Sequence, residues 1–148
     1  MTEIPALPTV WRPRTTRVVA YATAGVIMLG MIVLAVVVAP QFKLFDRVLI
    51  VLSGAFIAWI LHMLARCRVV ADETGLTVVN AFRTRRLEWA EVLDADMAVG
   101  EPWPTLDLAD GTSVGAMGIN GTEKDLSARQ LAELKSLLRE RGEASDPS

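Results

Sequence analysis

The chain has 148 residues, a formal net charge of -2 and a mean hydropathy of +0.38, with 52% of its residues hydrophobic. That balance is too apolar for an ordinary water-exposed domain of this size and too short of net positive charge for a nucleic-acid binder, so no nucleic-acid partner is expected. A single cysteine, Cys67, cannot form an intramolecular disulfide, which fits a reducing compartment.

The charges are segregated. Residues 1–17 carry Arg12, Arg14 and Arg17 against Glu3, and this stretch reads as a short cytoplasmic N-terminal segment. Val18 to Ala39 follows as 22 uncharged residues closed by Pro40, long enough at about 1.5 Å per residue to cross a hydrocarbon core of about 30 Å. A cleavable signal peptide shares the basic start, but its apolar core spans only about 7 to 15 residues. Val48 to Ala65 gives a second apolar run of 18 residues, with Trp59 and His62 near one end. An eight-residue connector, Pro40 to Arg47, leaves room only for a turn, so residues 18–65 are expected to form an antiparallel transmembrane hairpin of helices 18–39 and 48–65. Three arginines before the first helix and Arg66 and Arg68 after the second outnumber Lys43 and Arg47 in the connector. The positive-inside rule therefore predicts a cell-membrane protein with both termini cytoplasmic. Small-residue pairs, Ala20 with Ala24 and Gly54 with Ala58, would permit close helix contact, though such pairs are common in any Ala-rich span. His62 is read either as a proton-relay group or as an interfacial side chain.

From Arg66 the pattern changes to short alternating segments. Arg68 to Ala71 and Leu76 to Phe82 flank the turn Asp72 to Gly75, a hairpin signature. Leu87 and Trp89 alternate with Arg86 and Glu88. Leu93, Ala95, Met97 and Val99 are then expected on the buried face of a half-buried strand, with Asp94, Asp96 and Ala98 on the other. Leu106 and Leu108 lead to the Asp110-Gly111 turn, and Ser113 to Gly118 supplies a sixth strand. Ser127 and Gln130 have the spacing of a capping box, Leu126 and Leu131 that of a hydrophobic staple, and Leu131, Leu134, Leu137 and Leu138 form one apolar stripe. Gly142 is placed to end that helix, with residues 142–148 a disordered tail.

The predicted fold class is α+β: the helical hairpin, then at residues 66–141 a small antiparallel sheet or partial barrel covered by a C-terminal amphipathic helix. Asp72-x-x-Gly75-Leu76, Trp89-x-x-Val92 and Leu106-x-Leu108-x-Asp110-Gly111, with the closing helix, resemble the small bacterial pleckstrin-homology-like domains. The match is to the group named after low-molecular-weight protein antigen 6, whose members often carry two N-terminal membrane helices, and it covers Val18 to Arg141. A full pleckstrin-homology fold has seven strands, whereas six are legible here. The acidic turn Asp72 to Gly75 stands where phosphoinositide-binding members carry basic residues, so specific phosphoinositide binding is not expected.

No Ser-His-Asp, CxxC or HExxH pattern occurs, and Gly111, Gly115, Gly118 and Gly121 lack the Lys-Ser/Thr of a phosphate loop. The carboxylate pairs Asp94 with Asp96 and Asp107 with Asp110 read as a solvated strand face and a turn. No catalytic, metal or cofactor site is expected, and the chain reads as a non-enzyme. Arg83, Arg85 and Arg86, near one hairpin end, are candidate contacts for anionic lipid headgroups or ordinary solvated residues. Trp103, between two prolines, is a candidate protein contact or a plug over the barrel's open end. The expected function is a membrane-anchored binding or scaffolding module whose partners are the bilayer and another membrane or cytoplasmic protein. The alternative is an accessory subunit of a transport or envelope-assembly complex acting through its helices.

Overall fold

The structure, a computed structural model, describes residues 3–38 and 40–144. It comprises two compact units, one made of residues 14–66 and the other of residues 1–13 together with 67–148.

The helical unit contains α1 (Arg14–Val37) and α2 (Leu44–Ala65), both long and apolar enough to cross a membrane. Each begins four residues before the apolar run it contains, at Arg14 and at Leu44. Ala39, the residue where the first span was expected to end, lies outside the described residues. Asp46 accepts a hydrogen bond from the Lys43 backbone N–H at 3.2 Å, placing a carboxylate in the first turn of α2 where the helix dipole favours it. Gly54 lies against α1: a Cβ there would stand 2.9 Å from Met31 Cγ, so only glycine permits this approach. At the other end of the pair the Arg47 Nε–H donates to the Ala35 carbonyl in the last turn of α1 at 2.8 Å.

Among the described residues the second unit has seven strands and one long helix. Its strands are β1 (Thr9–Trp11), β2 (Arg68–Ala71), β3 (Gly75–Val79), β4 (Thr84–Glu88), β5 (Val92–Asp96), β6 (Thr105–Leu108) and β7 (Ser113–Gly115), and α3 (Lys124–Ala144) follows. They form two antiparallel sheets, ordered β1-β2-β3-β4 and β5-β6-β7. The six strands legible in the sequence are all present, and the seventh comes from before the first helix. Residues 1–17, read as a separate segment, instead supply β1, which pairs Thr9 with Ala71, Val10 with Val70 and Trp11 with Val69. The two apolar helices are thus an insertion between the first two strands of one sheet.

Trp11 is 2% exposed and packs in the same core as Val69, Leu76, Leu106, Ile119, Leu134 and Leu137. Its indole N–H donates to Glu133 of α3 at 2.7 Å, which satisfies the one polar atom the ring brings inside. Pro13 is also buried, and the Gln130 amide donates to the Arg12 carbonyl at 3.4 Å. The N-terminal strand is therefore held from one side by β2 and from another by α3.

Three local expectations are corrected. In β5 the buried residues are Val92 and Ala95, while Leu93 is 66% exposed and Val99 lies beyond the strand in solvent. The register against β6 shifts between Val92 and Asp94, and a β-bulge of this kind moves every following side chain to the other face. The helix α3 starts at Lys124, ahead of the expected cap. Ser127 and Gln130 are buried on the face shared with Leu134, Leu137 and Leu138, and the Ser127 hydroxyl donates back to the Lys124 carbonyl. The entry turn is built by Asn120, whose side-chain oxygen accepts from the Thr122 N–H at 2.9 Å and the Thr122 hydroxyl at 2.8 Å. Gly142 does not end the helix, which runs through Ala144, since a glycine in an exposed last turn costs little. Of the expected tail, residues 145–148 lie outside the described residues.

Candidate interaction surface

The three arginines lie at one end of the β3–β4 hairpin, and strand geometry separates them. The turn Asn80 to Arg83 closes with the Asn80 N–H donating to the Arg83 carbonyl at 2.8 Å, so β3 ends at Val79 and Arg83 stands at the tip. Arg85 and Arg86 are consecutive on β4 and take opposite faces. Arg85 pairs with Val78, on the inner side of the sheet beyond the buried Leu87, and lies near Asp110 of the β6–β7 turn. Arg86 pairs with Thr77 on the outer side, in a shallow groove of about 470 Å³ that it shares with Asp72, Glu88 and Glu91. All three are exposed, and Arg85 and Arg86 each lie near a turn carboxylate, Asp110 and Asp72 respectively.

A residue that the sequence reading counted as strand completes the tip. Phe82 is 74% exposed between the buried Ala81 and Arg83. The signal that could have found it is Asn80, a turn former, three residues ahead of Arg83. The tip is held firmly: the Asn80 amide donates to the Gly115 carbonyl at 2.7 Å, and its oxygen accepts from the Met117 N–H at 3.0 Å. Trp103 is 37% exposed and packs close to Gly115, where a Cβ would sit 2.6 Å from the indole nitrogen. Its neighbours are stitched to the same region, with Pro104 accepting from the Ala116 N–H at 2.9 Å and Pro102 from the Gly121 N–H at 2.8 Å. Trp103 and the β3–β4 tip thus flank one short segment, Gly115 to Met117.

The turns share a construction. In Asp72-Glu73-Thr74 the Asp72 carboxylate accepts from the Thr74 hydroxyl at 2.6 Å, the Thr74 N–H at 2.8 Å and the Gly75 N–H at 3.0 Å. In Asp110-Gly111-Thr112 the carboxylate accepts from the Thr112 hydroxyl at 2.6 Å and N–H at 2.9 Å. These bonds favour the ionised form, led in each case by the threonine hydroxyl, and hold both carboxyls below the usual carboxylate range. The Asp72 carbonyl also accepts from the Trp89 indole at 3.0 Å, and a Cβ at Gly75 would run into the Leu87 carbonyl, which ties Asp72, Gly75 and Trp89 into one local arrangement.

In the helical unit His62 is joined to Tyr21, with Nδ1 and the phenol oxygen 3.0 Å apart, so its ring links α2 to α1. Cys67 is buried at the start of the second unit. Among the described residues no cluster of three or more His, Cys, Asp or Glu side chains is arranged to hold a metal ion.

The family model described as a bacterial PH domain matches residues 66–137. Uncharacterized proteins of Mycobacterium tuberculosis and Mycobacterium bovis are 29% identical over 142 residues, covering 90% of this chain and 92% of each relative, so the likeness extends well beyond residues 66–137. No solved structure matches the chain significantly. The matched segment holds β2 to β7 and most of α3, so over residues 66–137 this chain is similar to the bacterial PH domain family, and it has in addition two helices long and apolar enough to cross a membrane.

Proposed function

We infer that this protein is a non-enzymatic, membrane-anchored binding or scaffolding module, which presents its PH domain at the cytoplasmic face of the cell membrane. The observation that carries this reading is the double tether: α1 leaves from β1 and α2 returns into β2, so the anchor is built into the sheet at two adjacent strands rather than attached through one flexible linker. A domain so held loses little orientational freedom when it meets a partner confined to the same membrane, and an effective concentration in the millimolar range or above substitutes for intrinsic affinity. The partner class is a membrane or cytoplasmic protein, with the bilayer itself as the second contact.

The test separates the two units. Surface variants of the domain (Trp103→Ala, Leu93→Ser) and outward-facing variants of the helices (Leu29→Ala, Phe56→Ala) are each crosslinked in intact membranes, and crosslinked proteins are identified against wild type. Loss of the wild-type crosslinks in the domain variants alone supports the binding-module reading. Loss in the helix variants alone would overturn it and favour an accessory subunit that works through its helices.

A further inference from the structure

Strand register decides which loops of the domain share an end. Trp11, the last residue of β1, lies opposite Val69, and Arg68, the first residue of β2, lies opposite Val79, the last of β3. The chain therefore departs for α1 and returns from α2 at the end of the sheet where β3 turns into β4. The Asn80 to Arg83 tip is at that end, and the Asp72 to Gly75 turn is at the opposite one. The segment after β7 is fixed there too, through Asn80 and through Gly118, whose missing Cβ lets its backbone lie on that of Arg68.

Covalent reach then limits how far this end can be from the helices. Trp11 is three peptide units from Arg14, the first residue of α1, and Ala65 is three from Arg68. At 3.8 Å per trans peptide each tether spans no more than about 11 Å. At the same end of the sheet from which these tethers leave, the tip exposes a phenylalanine beside an arginine, on a turn that Asn80 clamps from within the domain. An exposed aromatic ring with an adjacent guanidinium has the chemistry of a membrane interface, where the ring settles among the glycerol and upper acyl groups and the cation meets phosphate.

We propose that the β3–β4 tip dips into the bilayer that the helices cross: Phe82 partitions into the interfacial layer of the leaflet nearest the domain, and Arg83 pairs with lipid phosphate there. The proposal rests on α1 and α2 being membrane spans, and it assigns the contact to Phe82 with Arg83 rather than to the three arginines together. Arg85 and Arg86 are set apart by Asp110 and by the acidic groove of Asp72, Glu88 and Glu91. The lipid source is the protein's own bilayer, and no headgroup pocket is required.

The experiment uses the full chain in nanodiscs, with Cys67→Ala to remove the native thiol and a spin label on an engineered cysteine, Thr84→Cys beside the tip or Glu73→Cys at the far end. Collisions with oxygen, which concentrates in lipid, are compared with collisions with an aqueous nickel chelate. The label at 84 should be shielded from nickel and open to oxygen, while the label at 73 stays aqueous. Phe82→Ser should return the label at 84 to the aqueous pattern, and Arg83→Gln should weaken the shielding more in discs containing phosphatidylglycerol than in discs of phosphatidylcholine alone. A label at 84 as aqueous as the one at 73 would overturn the proposal while leaving the anchor intact. Shielding from both reagents would overturn it in favour of contact with a second copy. A chain that elutes apart from the discs would remove the membrane reading, and this proposal with it.

Discussion

Asp72, Asp110 and Asn120 each begin an Asx-x-Thr turn in which one side-chain oxygen takes both the hydroxyl and the N–H of the threonine two residues on. The two acids in this set link stability to pH. Their carboxyls titrate below the ordinary value of 3.8 in the folded chain, so their stabilisation is fully present above that value and is lost as pH falls through the lower folded pKa. Thermal unfolding followed from pH 6 down to pH 2 should show a steep acid loss that becomes shallower in the Asp72→Asn, Asp110→Asn double variant. An unchanged acid slope would show that these turns are not linked to stability. Glycines offer a second contrast at this scale. Gly118→Ala would force a Cβ into the backbone of Arg68 and Val69 and should cost about 1 to 3 kcal/mol, whereas Gly142→Ala, with open space around it on α3, should be neutral or stabilising by up to about 1 kcal/mol. Urea unfolding of the two variants gives the comparison, and equal midpoints would refute it.

Among the elements, β1 and α3 complete the core from opposite ends of the chain. Trp11 sits beneath α3 with its indole bonded to Glu133, and Leu134 and Leu137 are fully buried in the same cluster. Trp11→Ala should cost about 3 to 5 kcal/mol and Leu134→Ala about 2 to 5 kcal/mol, both read as earlier unfolding of the domain in the full chain by hydrogen exchange. A fragment spanning 66–148 alone lacks β1, leaves the edge of β2 unpaired and should not unfold cooperatively; a sharp transition for that fragment would make β1 dispensable. These elements also mark what local sequence could and could not reveal. The leucine stripe of α3, the Asp110-Gly111 hairpin and both apolar spans announce themselves through period and turn chemistry within a dozen residues. Thr9 to Trp11 does not, because three residues carry no period, and their partner strand begins only after two helices have intervened. The bulge at Leu93 is hidden for a related reason: the alternation from Leu93 to Val99 is present in the sequence, but the register that would use it is decided by pairing with β6. Phe82 was masked by the same logic, since an apolar residue adjoining a strand reads as strand until Asn80 is recognised as a turn bonded to Gly115 and Met117.

For the whole molecule the pairing of β1 with β2 turns a folding fact into a statement about topology. Residues 9–11 and 68–71 are neighbours in one sheet and share one core with α3, so both must occupy the same aqueous compartment once the domain has folded. The chain between them contains two helices of membrane-spanning length, and only an even number of crossings returns it to the side it left. This constraint is independent of charge, and it makes a hairpin the only arrangement in which both helices span and the sheet is complete. The side is predicted from charge: Arg12, Arg14 and Arg17 with Arg66 and Arg68 flank the hairpin, against Lys43 and Arg47 in its turn, and the positive-inside rule would put the domain in the cytoplasm. Reporters fused before Thr2 and after Ser148 should therefore both read cytoplasmic, and one inserted between Gln41 and Phe42 should read external. Replacing Arg12, Arg14 and Arg17 with Gln reduces the flanking excess without touching Trp11, and any molecules that invert should do so with both termini together. Termini found on opposite sides in a chain whose Trp11 is still protected from hydrogen exchange would contradict the shared sheet. Termini on opposite sides with Trp11 exposed would instead mean that one helix had failed to insert and that the domain had lost its first strand.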